Sequence, residues 1–318
     1  MAGTVTPLRA SEIRVWSRPG AVAGWWAFRL VAAWLLVTPL ADTLAAPTAD
    51  LPRGDAVLFD AGGAYLLEAL RHAQAQLAAG TRRSLWTLLL VGTASLIPLC
   101  AVLVALSHRG RLHTGNFSQL TARHLPAFVM LAGLTLLAQA VVLLGIALVM
   151  AAIRDPLYRA LTPRSADLGT LAIAAVGVAL VVGLGLVQDL ARASVVRHDV
   201  GGRTALTVAL GTLRRRPLRT LLDWLTPAVY TLPVVAAAAV ITGWLHVDRS
   251  GMWRVGLVFL VHQFAAFGLI ALRCWWLARA LVLVSDAKRT PDDMRSPAAS
   301  ELKLGRPRLV DRPAGSAE

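Results

Sequence analysis

Six apolar runs divide the chain, over residues 21–46, 85–106, 126–153, 168–190, 224–247 and 253–284. A helix needs about 20 residues to cross a hydrocarbon core of about 30 Å, and each run reaches that length. A soluble core requires no such runs. The pattern predicts an all-α protein, a polytopic bundle of six transmembrane helices with amphipathic helices at its interfaces. Residues 22–284 make the transmembrane domain, 1–21 an N-terminal segment and 285–318 a tail whose Pro, Ser, Arg and Asp content predicts disorder.

The polar segments set the orientation. Residues 189–223 are the longest basic stretch between two spans, and their seven arginines resist passage across a bilayer. With both termini on that side, the inner segments hold 20 Lys and Arg and the outer segments 9, while Arg29, Arg273 and Arg279 fall within spans near the inner face. Both ends are therefore expected to be cytoplasmic. The outer turn 154–167 fits this rule least well, since it carries three arginines.

Local signals fill in the connections. A short interfacial helix is expected from about Ser11 to Pro19-Gly20, with Trp16 at headgroup level. Small residues at Leu44-Ala45-Ala46 also allow a signal peptide, but the long leading segment and Arg29 inside the run argue against one. Asp60 is a suitable N-cap for an outer amphipathic helix over 61–79, too short to span. Pro98 predicts a kink in the second span, and Pro227 and Pro233 a bend in the fifth. Ala175, Ala179 and Gly183 recur at four-residue spacing, which predicts a face where another helix packs closely. Leu206, Val208, Leu210 and Leu213 predict a helix lying on the inner surface, and Pro217 suits the first turn of the next one.

Composition agrees and narrows the function classes. The chain is 56% hydrophobic and 16% charged, with a net charge of +14. In a soluble protein that charge would suggest nucleic acid, but here most basic residues flank apolar runs and no nucleic-acid motif accompanies them. Expected partners are membrane lipids with anionic headgroups at the inner face, and a membrane-protein partner or second copy. Cys100 and Cys274 fall inside spans at no metal-ligand spacing and are expected to be packing residues. No His-Glu-x-x-His, Gly-x-Ser-x-Gly or Walker loop occurs, so neither metal nor cofactor is expected, and the chain is not expected to be an enzyme.

The candidate site residues are polar groups inside or beside spans. Asp189 and Arg192 share a helix face, and Asp189 at that depth is expected to meet Arg273 or Arg279 and so lock the fourth and sixth spans together. Gln263 belongs to the same candidate polar cluster. Gln139, His262 and Gln263 are candidate pathway groups, against the simpler role of interhelical hydrogen bonding. Arg214, Arg215, Arg216 and Arg219 are candidate contacts for anionic lipid. The absence of Asp, Glu and Lys from the centre of every span argues against an ion-coupled pump and leaves a neutral-solute route open.

Asp189-Leu190-Ala191-Arg192 is similar to the start of the phosphatidyl-alcohol transferase motif, but it lacks the motif's glycine and its downstream pair of metal-binding aspartates. A broader likeness rests on Trp16-Ser17-Arg18-Pro19, Leu58-Phe59-Asp60-Ala61-Gly62-Gly63, Gly115-Asn116-Phe117, Asp189-Leu190-Ala191-Arg192, Arg216-Pro217, and Gln263 with Arg273. In these, residues 8–284 resemble a family of uncharacterised bacterial six-span integral membrane proteins. The resemblance implies that architecture and a bacterial inner membrane, with no activity. Two functions follow as expectations: a non-enzymatic scaffold or accessory membrane subunit, or a permease for a neutral or amphipathic solute. An inner-face lipid-headgroup enzyme would need converging nucleophile and acid-base groups, which the sequence does not offer.

Overall fold

A computed structural model describes residues 8, 12–13, 15–48, 71, 86–108, 113–160, 162–245 and 252–287. All regular structure among them is helical. A 3-10 turn, Val15–Ser17, leads into α1 (Pro19–Thr48), followed by α2 (Leu96–Ser107) and α3 (Thr114–Ala160). Then come α4 (Pro163–His198), α5 (Gly202–Arg215), α6 (Pro217–Trp244) and α7 (Met252–Ala287). Helical residues 86–94 precede α2, and with them six helices are long and apolar enough to cross a membrane. The expected outer helix over 61–79 and the tail beyond residue 287 lie outside the described residues.

Helix boundaries follow proline chemistry where proline is present. Pro163 and Pro217 each open a helix, where the missing N–H costs nothing because the first turn has no acceptor for it. Pro19 does the same for α1, so it starts a helix where the sequence suggested one would stop. At Pro98 the ring excludes the hydrogen bond to the carbonyl four residues back, and the helix is interrupted at Ser95. The helix α6 runs through both Pro227 and Pro233 as one element.

Several helices outlast their apolar runs. The 47 residues of α3 reach about 70 Å at 1.5 Å per residue, well beyond a bilayer core. The polar residues at its start, Thr114 to His124, continue the helix where a loop was expected. Ser285, Asp286 and Ala287 likewise extend α7 into the expected tail.

The packed core occupies one end of the bundle, here called the base, where α1, α3 and α6 begin and α2, α4 and α7 end. Leu103, Leu106, Phe128, Leu190, Leu277 and Leu281 are all buried there, with Val22 and Trp25 from α1. Both cysteines are free and buried in it. Away from the base the large apolar side chains face outward, among them Leu137, Leu144, Leu171, Val240 and Phe264. Such contiguous apolar exposure suits a lipid surrounding and is rare on water-facing surfaces.

Two expected faces are rotated. Ala175, Ala179 and Gly183 of α4 are exposed, and the face that meets α3 carries Gly169 and Gly177 instead. Gly177 packs under Ile146 and Gly169 under Leu157, so α3 supplies the bulk and α4 the gaps. In α5 the buried stripe is Gly202, Ala205, Ala209 and Thr212, while Leu210 is exposed. The small stripe lets α5 pack on α4 and α7 instead of lying flat on its leucines. Gly202 sits against the Met130 side chain and the Ala127 carbonyl.

Candidate functional site

Asp189 lies two and a half turns before the end of α4, facing α7, with its side chain 2% exposed. Oδ1 accepts a hydrogen bond from Arg273 Nη2 at 2.7 Å, and Oδ2 accepts one from Trp276 Nε1 at 2.8 Å. Arg273 and Trp276 are three residues apart on α7 and so reach the same point. Arg192 Nη1 stands 3.7 Å from Oδ1 as an ion pair, and its guanidinium lies 5.9 Å from the Phe128 ring centroid of α3. One carboxylate thus joins α4 to α7, while Arg192 carries the contact on to α3.

Charge in this cluster is unbalanced. Arg192 is buried, and its Nε has no hydrogen-bond partner among the described residues. Arg29 of α1 rests 5.2 Å from the Trp25 ring centroid, within electrostatic reach of Arg273. Two guanidiniums, Arg192 and Arg273, therefore share a single carboxylate. Burial of an ion in low dielectric is costly unless it is paired, so Asp189 is the residue that makes the cluster tolerable.

The other expected members stand elsewhere. Arg279 faces α6 and pairs with Asp223 at 3.8 Å, because six residues turn it away from the side of α7 that carries Arg273. Gln263 is half-buried on α7, ten residues before Arg273 and so about 15 Å along the helix, outside the cluster. Gln139 donates to the Val181 carbonyl of α4 at 3.3 Å, an interhelical bond. His262 is exposed, and its Nδ1 lies 2.9 Å from the Val258 carbonyl of its own helix. Gln139 faces α4 while His262 and Gln263 belong to α7, so these three groups do not converge on one route.

The basic residues at the base are largely engaged in holding chain segments. Arg216 and Arg219 both pair with Asp286, at 3.5 and 3.6 Å, and Arg219 also pairs with Asp223 at 3.8 Å. Arg214 and Arg215 are exposed at the end of α5. Arg197 Nη1 donates to the Leu8 carbonyl at 2.7 Å, and Arg18 Nη2 to the His108 carbonyl at 2.9 Å, which pins the N-terminal segment to the bundle. Arg123 pairs at 2.5 Å with Asp199, whose left-handed backbone, φ 53°, ends α4.

A cavity of about 890 Å³ opens between α6 and α7, with the N-terminal turn across one end. Tyr230, Pro233 and Val234 line it from α6; Phe267, Ala271, Trp275 and Arg279 line it from α7; Val15 and Trp16 line it at the base. It lies on the side of α7 away from Asp189.

No family model matches this chain, and no curated protein or solved structure matches it either. The roles of Trp276 and Asp286, and of Tyr230, Phe267 and Trp275 in the cavity, are not marked by the sequence pattern. Trp276 was within reach of sequence reasoning, since it sits one turn after Arg273, but nothing in the pattern marks an indole N–H as a partner for a distant carboxylate.

Proposed function

We propose that this is a multi-pass protein of a bacterial inner membrane, with both ends cytoplasmic, acting as a non-enzymatic scaffold or accessory subunit. The observation that carries the reading is the commitment of both Asp189 oxygens to Arg273 and Trp276. A buried carboxylate used in this way ties α4 to α7, as a scaffold requires. The exposed apolar side chains of α3, α4, α6 and α7 support a lipid surrounding. The excess of Lys and Arg in the base-side segments supports the orientation.

The permease reading for a neutral or amphipathic solute draws on the cavity beside α6. Against it, Gln139 is spent on Val181, and none of Gln139, His262 and Gln263 lines the cavity. Purification from native membranes in mild detergent tests the choice. A stoichiometric membrane-protein partner is expected, and proteoliposomes of the pure chain should pass glycerol no faster than protein-free vesicles. Protein-dependent flux without a partner would favour the permease and overturn the scaffold.

A further inference from the structure

The cavity between α6 and α7 has the shape and chemistry of a slot for one lipid. From Gly268 to Val282 it follows about 21 Å of α7, starting at the base and running toward mid-bundle. Its volume of about 890 Å³ falls in the usual range for small-molecule sites, and its walls are mostly apolar, as such sites require. Tyr230 and Trp275 pack against each other in its wall, with ring centroids 6.0 Å apart. Trp16 and Tyr230 are 69% and 53% exposed, so the slot is open to the side rather than sealed.

The charge sits at one end only. Arg279 lines the base of the slot, and the pairs around it bring three guanidiniums, Arg216, Arg219 and Arg279, onto two carboxylates, Asp223 and Asp286. These side chains are partly exposed, so a further anion can approach them. A greasy slot with a cationic, tryptophan-flanked mouth matches a molecule whose chain is apolar and whose head is negative.

We propose that this slot holds an anionic phospholipid drawn from the leaflet at the base, with an acyl chain along Phe267, Ala271 and Trp275 and its phosphate at Arg279. The inference rests on the membrane-embedded reading and adds to it a specific lipid site.

Native mass spectrometry of the full chain, released from bilayers of equal phosphatidylglycerol and phosphatidylcholine, tests it. One phosphatidylglycerol per chain is expected to survive release. Ala271→Trp, which fills the slot, should abolish retention of either lipid. Arg279→Gln should lower the preference for phosphatidylglycerol about fivefold while keeping an acyl chain in place, the weight of one positioned arginine. Size-exclusion profiles matching the parent protein establish that each variant is folded. Equal retention of both lipids, no retained lipid, or full retention by a folded Ala271→Trp would each overturn the proposal. Extraction of the chain from membranes by carbonate would instead refute the embedded reading itself, so the two failures are distinct.

Discussion

Asp189 and Arg273 meet across the α4–α7 interface at 2.7 Å, although 84 residues separate them in sequence. Asp189 is 2% exposed and Arg273 39%, so removing the carboxylate leaves Arg273 partly screened and the buried Arg192 uncompensated, at a cost toward the low end of about 3–5 kcal/mol. Asp189→Asn is the conservative test, because its amide turns one of two acceptors into a donor facing another donor. We expect the variant to unfold at lower denaturant than the parent in lipid micelles, by a free energy in that range. Parent-like unfolding would show that the carboxylate does not fasten the helices.

Trp276 contributes a single hydrogen bond to the same carboxylate. Trp276→Phe removes the indole N–H and part of a buried ring system, so the lost bond to a charged group should cost about 1.5–3 kcal/mol, with a cavity contribution added to it. The same unfolding measurement applies. A loss as large as that of Asp189→Asn would mean that the ring's shape, and not its donor, matters.

The two small-residue faces of α4 should respond oppositely to bulk. Gly177 already touches the Ile146 side chain, so Gly177→Leu should cost about 1–3 kcal/mol through overpacking. Gly183 has nothing within 4 Å of an added Cβ, so Gly183→Leu should leave the thermal midpoint of the detergent-solubilised protein unchanged. Equal effects at the two positions would place α3 against the wrong side of α4.

The ion pairs between α6 and α7 should matter little by themselves. Asp286 pairs with Arg216 and Arg219 at 3.5 and 3.6 Å among partly exposed side chains, a setting that contributes about 0–1 kcal/mol and is screened by salt. Asp286→Ala should shift stability by less than about 1 kcal/mol at low salt and by nothing measurable in 1 M salt. A larger, salt-independent loss would mark this pairing as a structural lock.

Six helices long and apolar enough to cross a membrane were legible because each is carried by a long apolar run in the sequence. Their ends were not, because Thr114 to His124 and Ser285 to Ala287 are mostly polar yet compatible with helix, and the end of an apolar run is not where the helix stops. Asp189 and Arg192 announced themselves by three-residue spacing, and Arg273 by matching depth in a neighbouring span. Arg279 has the same depth signal but faces α6, since depth does not specify rotation about the helix axis. The same ambiguity misdirected the reading of α4. Ala175-Ala179-Gly183 and Gly169-Ile173-Gly177 both repeat every four residues, and only the position of Ile146 on α3 decides between them.

A double-mutant cycle on Asp189 and Arg273, with unfolding followed in a lipid bilayer, tests most directly whether this pair fastens a membrane-spanning bundle. Asp189→Asn, Arg273→Gln and the double variant should give a coupling above about 1.5 kcal/mol, as measured for close charge pairs. Additive losses, with coupling within about 0.5 kcal/mol of zero, would contradict it.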